Sequence, residues 1–328
     1  MNRREMITLL GGAAAWPLAA RAQQGDRVRR IGVLIGPDAN DPEGKLRYSA
    51  FTLALADLGW IDGRNVRIDL RSHGGDTNRI RAFTQELVGL KPDIIFTGGT
   101  PATAAIQRET RTIPIVFVNA TDPVASGIVA RLDRPSGNIT GFANLEASMG
   151  GKWLDLLSQI TPGLKRAAIM FNPDTAVSSF MPSFETAARS LKIVPIIAPV
   201  HSDVEIETAI VALGGEPGRG LVIVPDIFTI AHRTSIISAA ARNNVAAVYN
   251  LSVFARDGGL LSYGADQVDI WRRRTASYVD RILRGEKPGD LPVQFPTKFE
   301  MVVNRKTATA LGLAIPPSIM LRADEVIE

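Results

Sequence analysis

The chain has 328 residues, 45% hydrophobic and 21% charged, with a formal net charge of +4; this suits a folded protein of two ordinary domains and excludes a disordered polymer. It contains no cysteine, which excludes disulfides, thiolate metal sites, a cysteine nucleophile and a lipidated N-terminal cysteine. Setting aside Arg3, Arg4, Glu5 and Arg21 with the leader described next leaves +2, so charge gives no argument for a nucleic-acid partner.

Met1-Asn2-Arg3-Arg4-Glu5 is a short basic start. The apolar stretch from Met6 to Ala20 is too short and too glycine-rich to span a membrane. Ala20-Arg21-Ala22 then supplies a small-x-small cleavage pattern. The expectation is a signal peptide over residues 1–22, a mature start at Gln23 and a periplasmic location. The Arg3-Arg4 pair favours twin-arginine export, with the general secretory route as the alternative.

Along the body, residues 30–36 read as a buried strand, followed by a polar loop from Pro37 to Gly44 and a helix over 46–58 that stops at Gly59. Residues 65–71 alternate like a strand at or near a sheet edge, and Asp76 caps a helix through Val88. Asp93 to Thr97 is a short apolar run suited to a strand covered on both faces. Gly98-Gly99 then permits a tight turn, with Thr100 as N-cap and Pro101 as first residue of a helix. Strands over 113–118 and 138–142 complete the first half.

The rhythm then restarts. Helices are expected over 145–160, 180–191, 204–213 and 230–243, and strands over 166–171, 193–198, 220–224, 246–249 and 260–264. An amphipathic helix over 266–283, a proline-marked connection over 288–296, a strand over 299–304 and a short helix over 306–311 follow. The tail from Pro316 reads as an element lying across a surface. Strand–helix alternation predicts an α/β protein with two Rossmann-like, doubly wound parallel sheets.

Ligands of open α/β sheets bind outside the carboxyl ends of the strands, and the polar residues gather there. The first half offers Asp38, Gly99, Thr100, Ala102, Asn119, Thr121 and Asp122; the second offers Asn172, Asp226, Phe228, Tyr249 and Tyr263. A helix N-terminus and hydroxyls suit a carboxylate. Asp226, directly after an apolar strand, suits an ammonium, and the three aromatic residues suit the walls. The competing reading makes Asp122 and Asn172 turn caps and Phe228 simple packing. His73, His201 and His232 fall far apart, in loop or helix-surface positions, and no H-E-x-x-H, G-x-S-x-G, P-loop or G-x-G-x-x-G pattern is present. No catalytic residue, metal or cofactor is expected. Trp271-Arg272-Arg273-Arg274 reads as a solvated helix face.

Taken together, Ile31-Gly32-Val33-Leu34, Ala56-Asp57-Leu58-Gly59-Trp60, Pro92-Asp93-Ile94-Ile95, Ile113-Pro114-Ile115-Val116-Phe117, Asp122-Pro123-Val124 and Pro135-Ser136-Gly137-Asn138-Ile139-Thr140-Gly141 carry a likeness. With Leu260-Leu261-Ser262-Tyr263-Gly264 and Ala323-Asp324-Glu325-Val326-Ile327, the chain resembles the ABC-transporter substrate-binding proteins of the tryptophan/tyrosine-binding type. The resemblance implies a type I periplasmic-binding-protein fold whose hinge is crossed three times, near Phe142-Ala143, near Gly264-Ala265 and between Pro292 and Phe295. One lobe would comprise 26–143 with 265–293, the other 144–264 with 294–328. It further implies that Thr100 and Thr121 hold a ligand carboxylate and Asp226 its amine. A monomer would deliver an aromatic amino acid or related compound to an inner-membrane permease with its ATPase. Two features depart from the family: there is no cysteine for lipidation, and Phe228 stands where a small or polar residue is expected. The alternatives are an exported sensor for a membrane kinase or chemoreceptor, and an exported α/β hydrolase or isomerase.

Overall fold

The computed structural model describes residues 27–36, 41–135, 137–176, 178–215 and 217–328. The leader, its cleavage site and Asp38 lie outside the described residues.

The first half lays down β1 (Arg29–Ile35), α1 (Pro42–Asp57), β2 (Val66–Ser72), α2 (Thr77–Gly89), β3 (Ile94–Gly98), α3 (Thr100–Glu109), β4 (Ile115–Ala120) and β5 (Ile139–Ala143). Its strands form a five-stranded, all-parallel sheet in the order β2-β1-β3-β4-β5. The second half begins with α4 (Met149–Ile160), β6 (Arg166–Phe171), α5 (Met181–Leu191), β7 (Val194–Pro199) and α6 (Asp203–Gly214). It continues with β8 (Arg219–Ile223), α7 (Ile227–Ala231), α8 (Arg233–Arg242), β9 (Ala246–Tyr249), α9 (Ser252–Arg256) and β10 (Leu261–Ala265). Gln267–Asp269, a π-helical turn over Ile270–Thr275 and Ala276–Leu283 then run on as one helical rod, α10. β11 (Phe299–Asn304), α11 (Arg305–Ala310), α12 (Pro317–Met320) and β12 (Glu325–Ile327) close the chain. The second sheet runs β12-β11-β10-β9-β8-β6-β7, parallel except where β11 meets β10. This is the two-lobed type I architecture expected.

Period-two patterning explains why the central strands are apolar throughout. In β1, Ile31, Val33 and Ile35 enter one core while Leu34 enters another. β3 divides likewise into Ile94 and Phe96 on one face and Ile95 on the other. In the second sheet, Ala246 and Val248 separate from Ala247 and Tyr249 in the same way. Each strand is therefore packed on both faces, as a parallel sheet covered by helices requires.

Although α10 follows β10 of the second sheet, it packs on α1 and β3 of the first. The chain thus passes between the sheets after β5, after β10 and again before β11. These passages lie side by side: Ala143 N–H donates to Gln294 O at 2.9 Å, and Asp266 N–H to Lys298 O at 3.0 Å. Near the end of β10, Gly264 lets that strand run against the turn after β9, because a Cβ there would sit 1.8 Å from the Asn250 carbonyl oxygen. An edge-to-face contact of Phe96 with Trp271, centroids 5.0 Å apart, ties α10 into the first lobe's core.

Three expectations need correction. Gly99 (φ +86°), rather than Thr100, occupies the cap position of α3, and the Thr100 hydroxyl instead accepts the Thr121 N–H at 2.9 Å. Helix α4 starts at Met149, leaving residues 144–148 as the non-helical passage between sheets. The C-terminal tail does not merely cover a surface: β12 pairs with β11 and extends the second sheet. His73 lies in the loop after β2, as expected, and is fully buried there, its Nδ1 accepting the Gly75 N–H at 3.1 Å.

Burial, reinforced by Arg79, lowers the His73 pKa from 6.5 to about 4. A depressed folded-state pKa means the unfolded chain binds the proton first as pH falls. The neutral ring's contribution is therefore complete above pH 6.5 and lost between 6.5 and 4, up to ~3 kcal/mol. Urea titrations across that window should show a loss of stability that His73→Asn largely abolishes. An equal slope in both proteins contradicts this assignment.

Candidate functional site

A cavity of about 300 Å³ opens where the carboxyl ends of the two sheets face each other. The first lobe contributes Ile35 and Gly36 at the end of β1, Gly74 after β2, Gly98 to Pro101 from the end of β3, and Asn119 and Thr121 at the end of β4. The second contributes Pro225, Asp226 and Ile227 after β8, and Asn250 and Leu251 after β9. Gln267 and Trp271 of α10 line it beside the passages between sheets.

Closure is visible in side-chain contacts. α7 lies against the glycine turns of the first lobe: a Cβ at Gly99 would meet Ile227 Cγ2 at 3.4 Å, and one at Gly75 would meet the Ala231 Cβ at 3.7 Å. Gly99 and Gly75 both have positive φ, +86° and +83°, so their turns favour glycine on backbone grounds as well. Two ion pairs run from the start of α1 to the second lobe. Asp41 Oδ1 accepts from Arg233 Nη2 at 2.6 Å, and Glu43 Oε1 from Arg256 Nη1 at 3.3 Å.

Asn119 reaches the cavity through local backbone geometry. Its φ is +56°, a left-handed conformation that asparagine tolerates, and the β4–β5 register shifts between Val118 and Ala120. Its Nδ2 donates to Gln267 Oε1 at 2.7 Å, linking β4 to α10. Thr121 is tethered too, since Asn144 Nδ2 donates to its hydroxyl at 3.5 Å.

Asp226 sits 5% exposed at the cap of α7. Its carboxylate accepts from Asn172 N–H at 2.8 Å, Thr175 Oγ1 at 2.6 Å and Phe228 N–H at 3.0 Å. Burial raises its pKa, and these hydrogen bonds act against the rise. The carboxylate is thus chiefly a brace between β6, β8 and α7.

Of the residues expected to gather at a site, Gly99, Thr100, Asn119, Thr121 and Asp226 border the cavity. The others do not. Ala102 is fully buried in the core on the far face of the first sheet. Asp122 caps a turn by accepting the Ala125 N–H, and Asn172 does the same for Asp174 N–H. Phe228 stacks near His232, centroids 4.2 Å apart, against the outer core of the second lobe. Tyr249 stacks on Phe254, and Tyr263 on Phe299. None of these three rings walls the cavity. The aromatic wall is Trp271, from the stretch expected to be solvated, where the π-helical turn redirects side chains.

Arg47, Arg79 and Arg233 also line the cavity and were not singled out by sequence. Arg47 is 5% exposed, with Glu43 Oε2 at 3.6 Å, and its Nε has no partner. Unpartnered buried polar atoms also occur on Asn119, Asn250 and Trp271, all of them lining residues. Such atoms are costly unless something supplies the missing bonds.

A cleft between two sheets, lined from both and carrying unpaired polar groups, defines a two-lobed solute-binding protein. The chain belongs to the ABC transporter substrate binding protein family, whose model matches residues 39–327. It is 27% identical over 269 residues to a tyrosine-binding protein of Clostridioides difficile (strain R20291), covering 80% of this chain and 75% of that one. Its structure is similar to that of a conserved domain protein from Vibrio cholerae (TM-score 0.84, 26% identity, 92% of this chain and 100% of the other). It also shares the fold of an ABC domain from Streptococcus pneumonia in complex with L-Trp (TM-score 0.82, 24% identity, 91% and 99% of the two chains).

Asp226→Asn replaces an acceptor oxygen with a donor, facing either the Asn172 N–H or the Thr175 hydroxyl and Phe228 N–H. It should lower unfolding stability by ~2 kcal/mol. A denaturation midpoint unchanged from wild type would show that Asp226 is not a brace.

Proposed function

We propose that this protein is an exported, monomeric receptor that closes its two lobes around a small carboxylate-bearing solute, an aromatic amino acid or related aromatic compound. It then presents the closed form to an inner-membrane permease with its ATPase. Residues 26–143 with 265–293 form one moving body and 144–264 with 294–328 the other. The carrying observation is the cavity itself, bordered from both lobes by groups whose hydrogen bonds are incomplete. A solute that contacts both lobes favours the closed state by its differential affinity, and one that contacts a single lobe shifts nothing.

Several features support the reading. Thr100 stands at the start of α3, where backbone N–H groups and the helix dipole favour an anion, and Thr121 after β4 is hydrogen-bonded to it. Trp271 brings an aromatic side chain to the border of the cavity. The tyrosine-binding relative and the L-Trp complex of the structural neighbour make aromatic solutes the first to test. The basic, apolar leader with its Ala20-Arg21-Ala22 site supports export. No helix among the described residues is long and apolar enough to cross a membrane. Binding and closure require no covalent step, and the protein acts without catalysis.

A thermal-shift panel of aromatic amino acids and aromatic carboxylates tests the reading. At hundredfold excess over its Kd, a true ligand adds ~2.7 kcal/mol, which raises Tm by roughly 5 °C for a chain of this size. A panel that leaves Tm unchanged on folded, ligand-free protein contradicts it.

A further inference from the structure

We propose that the cavity is built for an organic anion lacking an α-ammonium group: a monocarboxylate with a ring-sized apolar body, held through Arg47. This rests on the reading of the site as one that closes on a small carboxylate-bearing solute, and it narrows that class.

Charge at the cavity is asymmetric. Among the described residues, Asp41 and Asp226 are the acids that border it, against Arg47, Arg79 and Arg233. Both carboxylates are already engaged. Asp41 accepts from Arg233 at 2.6 Å and from the Gly44 N–H at 2.9 Å. Asp226 accepts three protein hydrogen bonds.

The cations differ in what they have left to give. Arg233 divides its guanidinium between Asp41 and Asp257, the latter at 2.7 Å. Arg79, exposed at the rim, donates to the Ser72 carbonyl at 2.8 Å. Arg47 alone of the three is buried, with an unpaired Nε and its nearest acid no closer than 3.6 Å. Burial lowers its pKa against the opposing pull of Glu43, Asp41 and Glu300, and its unpaired Nε leaves a charge-assisted hydrogen bond for an arriving anion. The Trp271 Nε1–H, likewise unpaired, is a second donor, and α1 with Arg47 packs on the π-helical turn that carries Trp271.

An ammonium would meet the opposite situation. Buried without a carboxylate of its own, it is costly to desolvate. The free acceptors are the amide oxygens of Asn119 and Asn250, which match a hydroxyl better than a full positive charge. Ile35, Pro101, Ile227, Ile230, Leu251 and Trp271 supply the apolar surround. A volume of about 300 Å³ lies at the small end of ligand pockets.

Calorimetry with matched pairs tests this on the folded wild-type protein: 3-phenylpropionate against L-phenylalanine, indole-3-propionate against L-tryptophan, and 3-(4-hydroxyphenyl)propionate against L-tyrosine. The expected result is that at least one deaminated acid binds and does so ~tenfold or more tighter than its amino acid. Arg47→Met, close in shape and free of the buried charge, should weaken that acid roughly a hundredfold. Tighter binding of the amino acid in each pair that binds overturns the proposal while leaving lobe closure around a solute standing. Undiminished acid binding by a natively folded Arg47→Met protein overturns the assignment of Arg47. Silence from all six probes overturns the ring-sized carboxylate. Lobe closure on some other solute is then judged by the wider thermal-shift panel.

Discussion

Everything about the cleft depends on one constraint: polar groups removed from water need partners, and here several of them lack one. Parallel sheets place their strand ends, and therefore their loose turns, on one side. Two such sheets facing each other bury those turns together. Thr100, Asp226 and Asp41 find partners inside the protein. Arg47, Asn119, Asn250 and Trp271 keep atoms that do not. A fold that leaves this pattern in the cleft between its two sheets is complementary to something not made of its own chain.

Closure itself uses steric fit more than charge. The turns after β2 and β3 carry glycine at positive φ, and α7 occupies the room that side chains would fill. The Asp41–Arg233 and Glu43–Arg256 pairs add specificity of approach, since they join the start of α1 to the second lobe alone. Ion pairs of this kind contribute modestly when partly solvated. Their absence in an opened state would expose both partners to water at little cost, which suits a reversible hinge.

The architecture was legible because strands buried on both faces leave an unmistakable apolar run, and Gly98-Gly99 after β3 marks where the backbone must turn tightly. Part of the cavity was legible for the same reason: strand ends are predictable, so Gly99, Asn119, Thr121 and Asp226 fall beside it. The aromatic residues were misread through orientation. Tyr249 shares the face of Ala247 in β9, so strand alternation alone sends it to the outer core. Phe228 follows Ile227 by one helical step, and it is Ile227 that borders the cavity. Arg47 left no local signal, because an arginine on an amphipathic helix is ordinarily solvated, whereas here α1 packs on the π-helical turn of α10 and the second lobe's Arg233 and Glu300 lie near. Trp271 was hidden by its three arginine neighbours and by a π-helical turn that breaks the 3.6-residue period.

The absence of cysteine makes the most direct measurement clean. Asn78 near the start of α2 and Val204 near the start of α6 are exposed and lie on opposite lobes. Spin labels on Asn78→Cys and Val204→Cys report the separation of the lobes by pulsed electron resonance. Lobes that close on a solute predict a broad, longer distance distribution in its absence. It should collapse to one short separation when a member of the matched pairs binds. Binding that calorimetry detects but that leaves this distribution unchanged contradicts the account.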